Sequence, residues 1–285
     1  MAKISEISHI GVIGAGQMGA GIAQVAAMAG YSTSLIDMSE EALEKAKSGI
    51  NRRLDRAIEK EKATKEEKER CLSNLTFTTD LKNLSDSQFV IEAIIENTEI
   101  KEKLFTELSA ILPSNAIIAS NTSSISITKL ANASKRSEQF IGMHFMNPVP
   151  IMKLVEVIRG LQTSDETYNT TLALAEKMKK QTVLAIDGPG FIVNRILCPM
   201  INEAIFLLQE GVSPEDIDNA MMLGTNQPMG PLTLADFVGL DTLLAILELL
   251  HEELGEDKYR PCPLLRKYVE AGWYGKKSSR GFYTY

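Results

Sequence analysis

Residues 10–36 contain no charged side chain, and this stretch constrains the fold more than any other. Taken as one piece it approaches the roughly 20 apolar residues that a membrane-crossing helix needs. Its glycines at 11, 14, 16, 19, 21 and 30, with Gln17 and Gln24, argue against a span. The stretch divides instead by period. Residues 7–13 are a short apolar run, the pattern of a buried strand, leading into Gly14-Ala15-Gly16. Residues 17–29 are rich in alanine and methionine and close on Gly30, the pattern of a helix with a C-terminal glycine. Residues 31–36 favour β structure and end on Asp37. Strand, helix and strand in this space make a βαβ unit.

Gly14-Ala15-Gly16-Gln17-Met18-Gly19 is GxGxxG at the junction of that first strand and helix. The first glycine makes a tight turn, the second admits a pyrophosphate to the backbone, and the third lets helix pack on strand. The helix N-terminus adds unpaired N–H groups and positive dipole. A carboxylate at Asp37 accepts ribose hydroxyls and repels a 2′-phosphate, which favours NAD over NADP.

Residues 39–60 read as a long charged helix capped by Ser39, and residues 63–70 as a second, solvated one. The pair is expected to form a hairpin projecting from the sheet. Strands are expected at 75–77, 89–95, 116–120, 140–145, 152–158 and 182–186, with helices at 101–112 and 165–180. That alternation implies a largely parallel sheet covered on both faces. The pattern changes at Asp187-Gly188-Pro189-Gly190. Helices are expected at 191–209, 214–222, 232–254 and 264–271, with no strand until the extreme C-terminus. The fold class is therefore α/β: a Rossmann-type domain with a helical hairpin insertion, residues 1–188, then an all-α domain, residues 189–285. Residues 235–250 are apolar nearly all round, which suits burial in a bundle or against another subunit.

A net charge of −7 argues against nucleic acid as the main partner. Cys71, Cys198 and Cys262 lie far apart with no CxxC or Cys/His spacing, so no metal site is expected and a reducing compartment is. The N-terminus lacks a secretory pattern, and a cytoplasmic protein with no membrane association is expected.

His144 ends a β-like run, where α/β sheets bind ligands. In residues 152–158, Glu156 falls inside an apolar strand pattern, and burying it there is costly unless it is paired. His144 is an attractive partner, and a histidine oriented by a carboxylate makes a general base. An edge strand with Glu156 in water is the alternative. Asn121-Thr122-Ser123-Ser124 follows another strand, at the same rim, and equally suits a helix N-cap. Asn194 opens an apolar helix and suits either a substrate carbonyl or capping. Arg52, Arg56 and Lys60 recur on one helix face, a stripe for an anion or a solvated surface.

The motifs GVIGAGQMGAGIA, VIEAIIE, SNTSSISIT, HFMNPVPIMKLVEVI, DGPGFIVNRIL and MGPLTLADFVGLDT, with the GWYGKKSSRGFYTY ending, span nearly the whole chain. Together they resemble the L-3-hydroxyacyl-CoA dehydrogenase family, and within it the short-chain members acting on 3-hydroxybutyryl-CoA and acetoacetyl-CoA. The resemblance implies His144 as base, Glu156 as its partner, and Ser123 and Asn194 on the substrate oxygens. It implies NAD contacts from Asp37, Glu96, Lys101, Ser123, Asn147 and Lys277. It implies CoA contacts on the hairpin at Lys60 and at the position of Arg53, where the family carries a small polar residue. It further implies a homodimer through the C-terminal domain. A longer-chain family member and a non-catalytic NAD-binding protein are the rival readings.

Overall fold

The computed structural model describes residues 4–285, which fall into two compact units: one runs to Asp187, the other is Gly188–Tyr285. The first holds one eight-stranded sheet in the order β3-β2-β1-β4-β5-β6-β7-β8. The strands are β1 (His9–Ile13), β2 (Ser32–Ile36), β3 (Leu75–Thr78), β4 (Phe89–Glu92), β5 (Ile117–Ser120), β6 (Phe140–Phe145), β7 (Leu154–Arg159) and β8 (Gln181–Ile186). Pairing is parallel throughout except between β6 and β7. Strands β1, β4, β5 and β6 are buried almost end to end, as strands covered on both faces must be.

Helix α1 (Gln17–Met28) leaves the glycine turn and packs with β1, β4 and α6 (Asp165–Lys177) in the main apolar cluster. Helix α2 (Glu40–Glu59) is capped by Ser39, whose Oγ accepts the Ala42 N–H. Helix α3 (Lys65–Ser73) begins in a capping box of Thr64 and Glu67. The hairpin does not stand free as expected. Ile50, Leu54 and Cys71 bury against Ala27 of α1, and Asn74 donates to the Ala27 carbonyl. Three buried apolar side chains at the root of an otherwise charged pair suffice to dock it. Helix α4 (Thr98–Ile111) precedes β5. Helix α5 (Ile127–Ser134) was not anticipated: it is only eight residues long, too short for a clear period. Asp187 accepts from the N–H groups of Ile127 and Thr128 and from Ser126 Oγ, capping α5 from a distant stretch of chain.

The second unit holds helices α7 (Val193–Gln209), α8 (Pro214–Thr225), α9 (Pro231–Val238), α10 (Leu240–Leu254) and α11 (Pro263–Glu270). Its core includes Ile201, Ile205, Leu232, Leu243, Leu247 and Leu265. The single helix expected over 232–254 is two, broken at Gly239, whose φ of 102° no helix can hold. Among the described residues the unit's only β pairing is two isolated bridges near the C-terminus.

Candidate active site

The glycine turn has the form that GxGxxG requires. Gly14 has φ 103°, and a Cβ there would lie 2.5 Å from the Ala93 carbonyl oxygen. A Cβ on Gly19 would lie 1.7 Å from the Gly14 oxygen, so helix and strand close on bare backbone. Gly16 is exposed, with open space where its Cβ would point, and α1 has no side-chain cap at its N-terminus. The uncapped N-terminus of α1 is therefore accessible beside bare backbone, which suits a pyrophosphate. Asp37 Oδ2 accepts the Ala15 N–H at 2.7 Å and Oδ1 accepts the Ser39 N–H at 3.0 Å. It thus fastens the glycine turn as well as offering oxygens to a ribose. Gln17 Nε2 donates to Asn147 Oδ1 at 2.9 Å, joining α1 to the segment after β6. Met18 is half-buried against the core.

His144 and Glu156 face each other across the antiparallel β6–β7 pair. His144 Nδ1 lies 2.7 Å from Glu156 Oε2, and Glu156 is fully buried. Strand β8 covers β7 on its other side, so the alternative of an edge strand with Glu156 in water is excluded. The carboxylate assigns the Nδ1 proton and leaves Nε2 as the basic nitrogen.

Glu96 lies about a third exposed beside the 122–124 turn. Its Oε1 accepts from Thr122 Oγ1 (2.5 Å), Ser123 N–H (2.8 Å), Ser124 Oγ (2.9 Å), Ser124 N–H (3.1 Å) and Ser123 Oγ (3.2 Å). Burial pushes this carboxyl up, but the Lys101 ammonium and these donors outweigh it and hold it below the usual range. The stabilisation is present above the ordinary carboxylate range and is lost as pH falls through the depressed value. The 122–124 turn does not cap a helix directly; Ser126 caps α5.

Lys101 turns inward. It is 1% exposed, its ammonium paired with the buried Glu92 and 3.4 Å from Glu96 Oε2. Arg53 Nε donates to Gln24 at 2.7 Å, so it braces α2 on α1. Arg52, Arg56 and Lys60 are exposed. A cavity of ≈ 240 Å³ beside α1 and α3 is lined by Arg70, Lys153, Lys177 and Lys179 against Glu67. No local pattern announces this cluster, because its cations come from separate elements. In the second unit, Asn194 lies in the first turn of α7, half-buried, and Lys277 pairs with Asp241 at 2.6 Å. Among the described residues no group of three or more His, Cys, Asp or Glu side chains could hold a metal.

A doubly wound sheet with an open glycine cradle and a buried His–Glu pair across two neighbouring strands defines an NAD-binding dehydrogenase. Residues 9–188 match the NAD-binding domain of 3-hydroxyacyl-CoA dehydrogenase, and residues 190–285 its C-terminal domain, so the chain belongs to the 3-hydroxyacyl-CoA dehydrogenase family. It is 55% identical over 280 residues to 3-hydroxybutyryl-CoA dehydrogenase of Bradyrhizobium diazoefficiens, covering 98% of this chain and 96% of that protein. It is 58% identical to a probable 3-hydroxybutyryl-CoA dehydrogenase of Deinococcus radiodurans, covering 96% and 99%. The crystal structure of (S)-3-hydroxybutyryl-CoA dehydrogenase from Ralstonia eutropha is similar at a TM-score of 0.94 and 50% identity, covering 98% and 99%.

Proposed function

We propose that this dehydrogenase interconverts (S)-3-hydroxybutyryl-CoA and acetoacetyl-CoA with NAD(H). The observation that carries the chemistry is the 2.7 Å contact between His144 Nδ1 and the buried Glu156. Bound NAD supplies a hydride acceptor in oxidation and, reduced, a hydride donor in the reverse direction. His144 Nε2 takes the proton of the C3 hydroxyl in oxidation and returns it in reduction. Glu156 holds the ring and stabilises its protonated form. Oxidation therefore requires neutral His144 and reduction requires its protonated form, so the two directions respond to pH in opposite senses.

The open cradle at Gly16 and the carboxylate of Asp37 support binding of NAD through its pyrophosphate and adenosine ribose. Glu96, Ser123 and Asn147 serve the cofactor side, with Lys101 behind Glu96, and Lys277 serves it from the second unit. Ser123 and Asn194 bond the substrate oxygens. The relatives' names support a four-carbon thioester. Positive charge for the CoA phosphates is available at Arg52, Arg56 and Lys60 and at the cavity beside α3. Ile196, Leu207, Leu223 and Phe237 are exposed apolar side chains in the second unit, which supports a homodimer formed through it.

The test is NADH consumption with acetoacetyl-CoA, set beside free acetoacetate, a long-chain 3-ketoacyl-CoA and NADPH. Fast turnover with acetoacetyl-CoA and NADH is expected. Faster turnover of the long-chain thioester would move the assignment to a longer-chain enzyme, and no turnover of any thioester would remove it.

A further inference from the structure

Glu92 ends β4, the strand between β1 and β5. Its register partners are Ile13, one residue before the glycine turn, and Ser120, just before the 121–124 segment. It is 0% exposed, and its carboxylate is fully engaged. Oε1 accepts the Ile94 N–H at 2.7 Å and pairs with Lys101 Nζ, while Oε2 accepts Ser120 Oγ at 2.6 Å. Lys101, from α4, turns the same ammonium toward Glu96 Oε2. Glu96 Oε1 in turn holds both hydroxyls and both N–H groups of Ser123 and Ser124. A continuous line of contacts thus runs from the centre of the sheet to the turn that carries Ser123.

A buried ion pair of this kind is a weak source of stability, since well-packed apolar residues often do as well. Stability alone therefore does not account for a carboxylate at this point in the sheet. What the pair does specify is position. Lys101 has three donor protons in a compact ammonium, and Glu92 anchors it to rigid strand backbone. Its remaining reach fixes one oxygen of Glu96, and the other oxygen is then aimed at the serine turn.

We infer that Glu92 is a positioning residue: through Lys101 it sets the Glu96 carboxylate, and through Glu96 the 122–124 turn that presents Ser123. Lys101 is then an internal counter-ion in this line. The inference rests on reading Glu96 and Ser123 as cofactor and substrate contacts.

The test compares the full-length protein with Glu92→Gln, Lys101→Met and the double variant. Amide hydrogen exchange at Ser123 and Ser124 is measured without ligand, NADH affinity by fluorescence titration, and kcat and KM with acetoacetyl-CoA. In Glu92→Gln the ammonium pairs with Glu96 alone and draws it off the turn. Exchange at Ser123 and Ser124 is expected to rise about tenfold or more, reporting local loosening. NADH affinity is expected to weaken. The kcat is expected to fall about tenfold, with KM for acetoacetyl-CoA within about threefold because the CoA body is held elsewhere. The double variant is expected to lose no more than the worse single one, as links in series do. Should Glu92→Gln fail to fold because the ammonium loses its buried partner, the double variant carries no ammonium there and its exchange and NADH affinity decide. Unchanged exchange at Ser123 and Ser124, or multiplicative losses in the double variant, would overturn the inference. Absence of acetoacetyl-CoA turnover in the parent protein would instead overturn the functional reading and leave the exchange result standing.

Discussion

Two histidines in the first unit lie 2.7 Å from a carboxylate, and only one pair has the setting of a catalytic dyad. His9 bridges Asp86 and Ser34, an arrangement that mimics a nucleophile triad. Yet Asp86 is exposed, Ser34 is buried, and His9 begins its strand, at the end of the sheet away from the glycine turn. His144 stands next to last in its strand, and its carboxylate partner is shielded from water, where orientation and charge stabilisation are strongest. His144→Ala or Glu156→Gln is expected to lower turnover by about two to four orders of magnitude while NADH affinity stays near normal. Near-normal turnover in His144→Ala would remove it as the base. Asp37→Ala is expected to weaken NADH binding and to narrow the preference for NADH over NADPH. The first effect follows from the lost bond to Ala15, the second from the lost charge, and titration with both nucleotides separates them. The thiols are inert by burial, which pushes Cys71 up to about 11 and Cys198 up to about 12. Native protein is expected to resist a thiol reagent at neutral pH, with all three cysteines reacting after denaturation.

Single residues also decide where elements begin and end. Gly239 closes α9 and opens α10 with φ 102°, and a Cβ there would lie 3.0 Å from Asp241 Oδ1 and 3.2 Å from Lys277 Nζ. Gly239→Ala is therefore expected to cost about 1–3 kcal/mol of strain and to disturb the Lys277–Asp241 pair. Urea unfolding measures the first, and NADH affinity the second if Lys277 serves the cofactor. An unchanged midpoint would show that the break tolerates an L side chain. The same unit anchors its C-terminal segment by a carboxylate: Asp236 accepts the N–H groups of Phe282 and Tyr283 and the Tyr285 hydroxyl. Burial, together with the Asp218 charge, raises the Asp236 pKa in spite of these donors. Its ionised form is thus held at some cost, offset by tying down the segment that follows Lys277.

Over the whole molecule, charge and apolar surface point to different partners. A net charge of −7 coexists with the basic stripe on α2 and the basic cavity beside α3, so an acidic protein offers local positive fields to an anion. No helix among the described residues is long and apolar enough to cross a membrane. The uncharged stretch at 10–36 is spent on two strands and a helix of the nucleotide fold. Leu223 is 86% exposed and Ile196 68%, more than isolated surface leucines and isoleucines need. Light scattering is expected to find a particle of twice the 31.4 kDa chain mass. Leu223→Asp is expected to shift it toward the monomer, and a monomeric parent protein would remove the dimer from the proposal.

Local pattern determined much of this protein. The glycine turn, its flanking strands and helix, Asp37, the alternation up to residue 187 and the helical remainder are encoded by residues near one another in the chain, where period and backbone freedom dominate. The fold class was legible from that, and the family from the resemblance of the motifs spread along the chain. The His144–Glu156 pair was legible as an expectation, because a carboxylate in an apolar strand demands a partner. Tertiary structure alone decided that β8 covers β7 and shuts Glu156 from water, that α3 docks on α1, and that α5 takes a cap from Asp187. It also decided that Lys101 turns inward to Glu92 and that Arg53 is taken by Gln24. A long charged side chain has the same local signature whether it faces solvent, a ligand or a buried counter-ion. Only the packing of distant segments settles which of these it meets.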